Sequence, residues 1–405
     1  MTIHIVGGVY REYCVHPRWL EIYGSAGRAA SAIATVGTPV VLHSYMSDEV
    51  TQVVRERACW FDAFHLAAAT ANGVVSFEYL YDMAVPEIRG VPEDPYPVLD
   101  VTEEKVVRFG MLEGDAVVHA DWAVYDPQNV GSSQAFSANG STAKHLALVL
   151  NAWEAGNMAG MPGMHPSQSA PTLAAQSGAE VVVVKMGPEG AFVWTAAGMS
   201  QLPAFRTSRV WKVGSGDCFV AHFANAWMHE GRTPADSADI ASRATALYCK
   251  TQGFPTHADI SKEAFVPVEL SKDYYSGVKR QVYLAGPFFD LAQVWMVQQA
   301  STNLRELGLR VFSPYHDIGL GSAEDVVSKD LAAIDSSDLV LALTDGLDSG
   351  TIYEIGYARA LGKPVVVYSE RHKDESLKMM EGSGCIICTD YTTALYSTLW
   401  EAVKL

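Results

Sequence analysis

Cysteine is scarce in this chain, at six among 405 residues. Cys14, Cys59, Cys218, Cys249, Cys385 and Cys388 are too thinly spread for a disulfide-stapled scaffold, and this density suits a reducing compartment. Only Cys385 and Cys388 have close spacing, and the second CxxC that a four-thiolate zinc site needs is missing. The pair reads as two small apolar residues of a late buried strand. Positive charge is also in deficit: 29 Lys and Arg stand against 46 Asp and Glu, a net charge of -17. Such a surface repels polyphosphate backbones, so nucleic acid is excluded as an expected partner. No apolar run approaches ~20 residues, which excludes a membrane-spanning helix. No N-terminal stretch combines a basic start, an apolar core and a cleavage site, and the expected location is the cytoplasm. Internal repeats and low-complexity tracts are missing too. What remains is ordinary for a folded protein, 49% hydrophobic and 19% charged. The length allows two or three domains.

Continuous β-branched and apolar runs mark strands buried on both faces: Val181-Val182-Val183-Val184, Val117-Val118-His119, Leu339 to Leu343 and Val365 to Tyr368. Helix-like stretches such as Cys218 to Glu230 and Ile352 to Leu361 lie between them. This alternation predicts α/β sheets. The stretch from Phe254 to Arg280 carries Pro255, Pro267 and Gly277 without clear periodicity, and a fresh strand starts at Gln281. The expected organisation is a domain over 1–262, a linker over 263–280 and a second domain over 281–405.

In the first half, Gly214-Ser215-Gly216-Asp217 precedes a helical pattern. Glycine at 214 and 216 lets backbone N–H groups converge without Cβ obstruction, and a helix N-terminus adds positive potential. Gly214, Ser215 and Gly216 thus form an expected phosphate cradle, with Asp217 as general base for an attacking hydroxyl. Asn151 and Glu154 lie three apart, a spacing that places both on one helical face near hydrated magnesium. Lys185 ends the valine strand, and Gly187 and Gly190 follow as a nucleotide-contacting turn. Near the N-terminus come Gly7-Gly8, Glu12 and the run Gly24-Ser25-Ala26-Gly27.

These pieces, in this order, resemble the ribokinase-like (PfkB-type) carbohydrate and nucleoside kinases over about residues 1–260. The resemblance implies a three-layer α/β/α domain with a small β-lid, part of it supplied by Phe77 to Ile88. It implies Mg2+ and ATP, with Lys185, Gly187, Gly190, Gly214, Ser215, Gly216 and Asn151 toward the nucleotide and Glu154 toward the metal. Asp217 is the implied base, and Glu12 and Gly27 face the acceptor. The chain departs from the pattern at Ala29, where the family has Asn, at Trp211-Lys212 before the cradle, and at Lys185 in place of Thr.

In the second half, Asp348-Ser349-Gly350-Thr351-Ile352-Tyr353-Glu354 follows a buried strand. Asp348 suits a helix cap, and Glu354, held near a helix N-terminus, suits attack on an anomeric carbon. Tyr283, Gly286, Phe288 and Phe289 end the domain's first strand, and the aromatics can sandwich a nucleobase. Asp330 is placed to give a proton to the base. His316 and Asp317 have no third ligand at metal spacing. This half resembles the nucleoside 2-deoxyribosyltransferases across nearly all of 281–405. That resemblance implies a flavodoxin-like domain with a five-stranded parallel sheet and a covalent glycosyl–Glu354 intermediate. By the same resemblance Asp348 would orient sugar hydroxyls, Asp330 would serve the base, Tyr283 and Gly286 would be part of the substrate site, and sites completed within a homo-oligomer are a family habit. Together the halves predict a bifunctional enzyme of nucleoside or nucleotide metabolism, acting on nucleosides, nucleotides and sugars. The alternative is an inactive kinase fold that binds nucleoside beside an active N-glycosidase.

Overall fold

The computed structural model describes residues 1–128, 133–319, 321–372 and 374–405. The chain divides into two compact units. The first comprises Met1–Thr207 and Trp211–Pro267; the second comprises Ser208–Val210 and Val268–Leu405. Among the described residues no helix is long and apolar enough to cross a membrane.

The first unit is built on a nine-stranded sheet. Its spatial order is Gly198–Leu202, Ala191–Thr195, Val181–Lys185, Thr142–Asn151, Ala116–Asp126, Leu99–Phe109, Ile3–Val6, Val40–Met46 and Phe64–Thr70. All neighbours are parallel except the hairpin that adds Ala191–Thr195 and Gly198–Leu202 at one edge. The period-two geometry of a strand sends successive side chains to opposite faces. Val181 and Val183 therefore join one apolar layer, with the helices Gly24–Thr35 and Ser215–Ala224. Val182 and Val184 join another, with the helices Ala152–Met158 and Pro166–Ser177. The result is a three-layer α/β/α arrangement, with a helical layer on each face of the sheet. A separate four-stranded sheet, Trp19–Ile22, Arg11–His16, Ser76–Tyr81 and Glu87–Arg89, contains Phe77 and Tyr79.

The second unit has a five-stranded sheet in the order Arg310–Phe312, Gln281–Ala285, Leu339–Leu343, Val365–Tyr368 and Ile386–Cys388. Every pair is parallel, which gives the flavodoxin-like order 2-1-3-4-5. The unbroken apolar runs at 339–343 and 365–368 are fully buried, as doubly covered parallel strands require. Cys385 and Cys388 are buried free thiols at the last strand.

Candidate active sites

In the first unit, parallel strands deliver polar groups at their carboxyl ends, the usual place for a site in an open α/β sheet. Asp126, Asn151 and Lys185 each end a strand, and Asn151 pairs in register with Lys185. A cavity of about 370 Å³ is lined by Glu12, Arg28, Glu154, Gly214, Gly216 and Asp217, with Tyr10, Phe77 and Tyr79 as aromatic walls.

The helix Ser215–Ala224 starts at this cavity, with Gly214 as its N-cap in the left-handed region at φ 75°. A Cβ on Gly214 would lie 2.0 Å from Arg28 Nε, so glycine is required by conformation and by space. Asp217 is buried in the first turn of that helix. Its Oδ2 accepts a hydrogen bond from Arg28 Nη1 at 2.9 Å, and its Oδ1 accepts from Gln128 Nε2 at 3.3 Å.

Arg28 is fully buried and ties the site together. Its Nη1 and Nη2 donate to the two oxygens of Glu12, and its Nε donates to Tyr248 Oη at 3.0 Å. Burial raises Glu12 above the usual carboxylate range despite the pull of Arg28. Burial also disfavours the charge on Arg28, but Glu12, Tyr248 and Asp217 outweigh it and hold the guanidinium protonated. One cation thus serves two buried carboxylates.

A second buried pair lies beside the first. Lys185 Nζ is 2.9 Å from Asp126 Oδ2, and Gln128 Nε2 donates to the same oxygen at 3.0 Å. The other oxygen of Asp126, Oδ1, is buried without a partner. Burial pushes this carboxyl above its ordinary range against the attraction of Lys185, with Glu154 and Asp217 adding to the rise.

Asn151 and Glu154 form a capping box, not one face of a helix. Asn151 Oδ1 accepts from the Glu154 N–H at 2.8 Å, and Glu154 Oε2 accepts from the Asn151 N–H at 2.8 Å. The three-residue spacing is that of an N-cap and the third helical position. Glu154 still lines the cavity, whereas Asn151 does not. A Cβ on Gly27 would meet Val9 at 3.5 Å, and this glycine is not among the cavity-lining residues; Gly24 and Ser25 are. Ala29 is buried in the core, so the side chain of this helix that reaches the site is Arg28. Gly187 and Gly190 shape the turn between two strands, and Gly190 packs on the backbone of Leu202 and Pro203. Lys185 lies just behind the lining, with Nζ 3.4 Å from the position of a Cβ on Gly216.

Motif reading missed Arg28, Asp126, Gln128 and Tyr248. A signal for Arg28 was present: it is the sole charged residue of the helix Gly24–Thr35. A lone charge on a helix so largely buried demands partners.

Magnesium and ATP fit these residues. Magnesium takes one or two carboxylates and completes its shell with water and phosphate. The unpartnered Asp126 Oδ1 and the cavity-lining Glu154 are suitable donors. Among the described residues no cluster of three or more His, Cys, Asp or Glu could hold a metal by itself. The Gly214–Gly216 turn at a helix N-terminus suits a phosphoryl group.

In the second unit, Tyr283 Oη donates to Glu354 Oε1 at 2.6 Å. Tyr283 lies on a central strand and Glu354 on the second turn of the helix Ser349–Ala360. Asp348 is the N-cap of that helix; its Oδ2 accepts from the Thr351 N–H at 2.9 Å and from Thr351 Oγ1 at 3.1 Å. Burial pushes the Glu354 carboxyl up to about 7; the Tyr283 hydrogen bond pulls it down, and Asp330 and Asp348 push it further up. Asp330 is near enough to act on both Tyr283 and Glu354, and burial raises it as well. Its Oδ1 is buried without a partner. A Cβ on Gly286 would meet Leu343 Cβ at 3.1 Å, so this turn is close-packed. Phe288 stacks on Phe289 at 5.8 Å and tilts against Tyr315 at 5.6 Å. His316 and Asp317 have local roles: the ring bonds Gln298, and the carboxylate accepts from the Ser313 N–H.

Known proteins can now be set beside this geometry. A family model described as pfkB family carbohydrate kinase matches residues 142–259, and one described as nucleoside 2-deoxyribosyltransferase matches residues 282–386. The chain is similar to two families, one in each unit. Ribokinase from Arabidopsis thaliana, solved with ribose and ATP, is 16% identical and covers 64% of this chain and 97% of its own, with a TM-score of 0.46. A nucleoside kinase from Methanocaldococcus jannaschii is 12% identical over 64% of this chain and 97% of its own, with a TM-score of 0.46. Phosphofructokinase-2 from Escherichia coli, in complex with potassium, is 13% identical over 64% and 97%, with a TM-score of 0.45. Uncharacterized protein UU063 of Ureaplasma parvum is 28% identical and covers 31% of this chain and 98% of its own. Asp217 lies within the residues matched by the kinase model, and Glu354 within those matched by the deoxyribosyltransferase model.

Proposed function

We propose that the chain is a bifunctional enzyme of nucleoside or nucleotide metabolism, in which each unit carries its own reaction. The second unit cleaves or exchanges an N-glycosidic bond. The observation that carries this reading is the Tyr283–Glu354 hydrogen bond, with Asp330 and Asp348 acting on the same carboxyl. The Glu354 carboxylate attacks the anomeric carbon, and the bond to the base breaks as the ester forms. Asp330, whose carboxyl burial raises, is the group that hands a proton to the departing base. Water or a second base then opens the ester. Tyr283 holds one oxygen of Glu354 and leaves the other for attack. Asp348, fixed by Thr351, presents its remaining capacity to sugar hydroxyls.

The first unit transfers a phosphoryl group from ATP to a sugar or nucleoside hydroxyl. Asp217 takes the hydroxyl proton, and the Gly214–Gly216 turn receives the phosphoryl oxygens. Asp126 and Glu154 would hold Mg2+, which supplies charge neutralisation when bound. Arg28 positions Asp217 and Glu12, and Gln128 links Asp217 to Asp126. One observation favours a second reading, binding without turnover: both oxygens of Asp217 already have donors. Mass analysis of products after incubation with nucleosides, nucleotides and pentoses, with and without ATP, tests both halves. An ATP-dependent gain of one phosphate and an ATP-independent release of base are expected. Release of base without any phosphate gain would leave the first unit as a binding module.

A further inference from the structure

We infer that the acceptor of the first unit is a nucleoside, not a free pentose, with its base against the aromatic wall of Phe77 and Tyr79. This rests on the phosphotransfer reading and narrows its substrate. The charged side chains Glu12, Arg28 and Asp217 of the cavity are paired with one another. Glu12 spends both oxygens on Arg28, and Asp217 spends one on Arg28 and one on Gln128. Arg28 in turn is fully buried, with its nitrogens engaged by Glu12, Asp217 and Tyr248. A free pentose is recognised through its hydroxyls and has little else to offer. Here each oxygen of Glu12 and Asp217 already holds one hydrogen bond, which lowers what a further hydroxyl contact gains.

The cavity also has an aromatic side. Tyr10 and Phe77 are 5.1 Å apart, and Phe77 stacks with Tyr79 at 6.5 Å and 21°. The Tyr10 hydroxyl is spent on Glu113 and on the Leu112 N–H, so this residue offers its ring. Met111 and Leu112 continue the apolar lining. A cavity of about 370 Å³ with three aromatic rings has room for a heterocycle as well as a sugar. Aromatic rings accept any base through its π-face. A nucleoside places its base on the rings and its sugar hydroxyl toward Asp217. In the reaction the nucleoside oxygen forms a bond to the γ-phosphorus as the bond to ADP breaks, and the hydroxyl proton moves to Asp217.

The experiment is calorimetric titration of the full chain with nucleosides, ribose and 2-deoxyribose, run beside an ATP-dependent phosphorylation assay. Two nucleoside sites per chain are expected, one in each unit. Phe77→Leu should weaken one of them about 10–100-fold and leave the other unchanged. Phe77→Tyr keeps the ring and should bind within about threefold of the parent, which separates stacking from damage to the small sheet. A Phe77-sensitive nucleoside site without phosphorylation would uphold the placement of the base on this wall but remove the kinase reading, and with it the nucleoside's role as acceptor. Phosphorylation of ribose with the same KM in the parent and in Phe77→Leu would overturn the inference and leave the kinase reading standing. A single nucleoside site that ignores Phe77, or a loss in Phe77→Tyr as large as that in Phe77→Leu, would also overturn it.

Discussion

Replacing Tyr283 by Phe removes one hydroxyl and leaves the ring that packs against Phe312 at 5.8 Å. The lost hydroxyl is the donor that holds Glu354 at 2.6 Å. In the proposed cleavage Glu354 has to be a carboxylate to attack, and burial already pushes it up to about 7. Bond cleavage should therefore rise with pH through about 7 in the parent enzyme. The Tyr283 hydrogen bond is the contribution that favours the anion. Without it the carboxyl binds its proton more tightly, and the acid limb moves to higher pH. A hydrogen bond to a charged group contributes about 1.5–3 kcal/mol, and each pH unit corresponds to about 1.4 kcal/mol. Water entering the vacated space recovers part of this, so a displacement of roughly one unit is expected. The assay is kcat/KM for base release, followed by ultraviolet absorbance from pH 5 to 9 in both proteins. A midpoint that stays put or falls in Tyr283→Phe would show that the Tyr283 hydroxyl does not favour the Glu354 anion.

The same carboxyl affects stability. Its folded value lies above the ordinary 4.5, so its stabilising contribution is full below about 4.5 and is lost as pH rises through about 7. Glu354→Gln should stabilise the second unit at pH 8 by on the order of 1–3 kcal/mol, read by denaturant titration, with no gain at pH 4. Arg28→Met strands Glu12 and Asp217 without their cation and should cost roughly 3–5 kcal/mol in the first unit, partly recovered by adding Glu12→Gln; an unchanged unfolding midpoint would contradict the triad. Gly214→Ala should lower thermal stability much more than Gly187→Ala, because both have positive φ but only a Cβ on Gly214 meets Arg28. A 2-fluoro-2-deoxy nucleoside should trap a glycosyl ester on the peptide containing Glu354; an adduct on Asp330 or Asp348 would reassign the nucleophile.

Patterns confined to a few neighbouring residues were the legible ones. The runs at 181–184, 339–343 and 365–368 became buried parallel strands because a doubly covered strand needs no polar alternation. The glycine cadence around Asp217 and the Asp348-to-Glu354 spacing were visible because cap and turn chemistry is local. Arg28 was harder to see. It meets Glu12 at 16 positions away, Asp217 at 189 and Tyr248 at 220, and no short motif records such partners. Asn151 and Glu154 show the converse, since a spacing of three fits both a helical face and a capping box, and only backbone placement decides between them. The aromatic wall was half legible: Phe77 was expected in a lid, but its stacking with Tyr79 and Tyr10 needs the four-stranded sheet.

If two independent chemistries reside in one chain, a single product analysis separates them. The parent, Asp217→Asn and Glu354→Ala are each incubated with a nucleoside and ATP, and the products are resolved by mass. The parent should yield both a phosphorylated nucleoside and free base. Asp217→Asn should lose phosphorylation by about 10²–10⁴-fold and still release base, while Glu354→Ala should do the reverse. Loss of both products from either single substitution, or full base release by Glu354→Ala, would contradict the account.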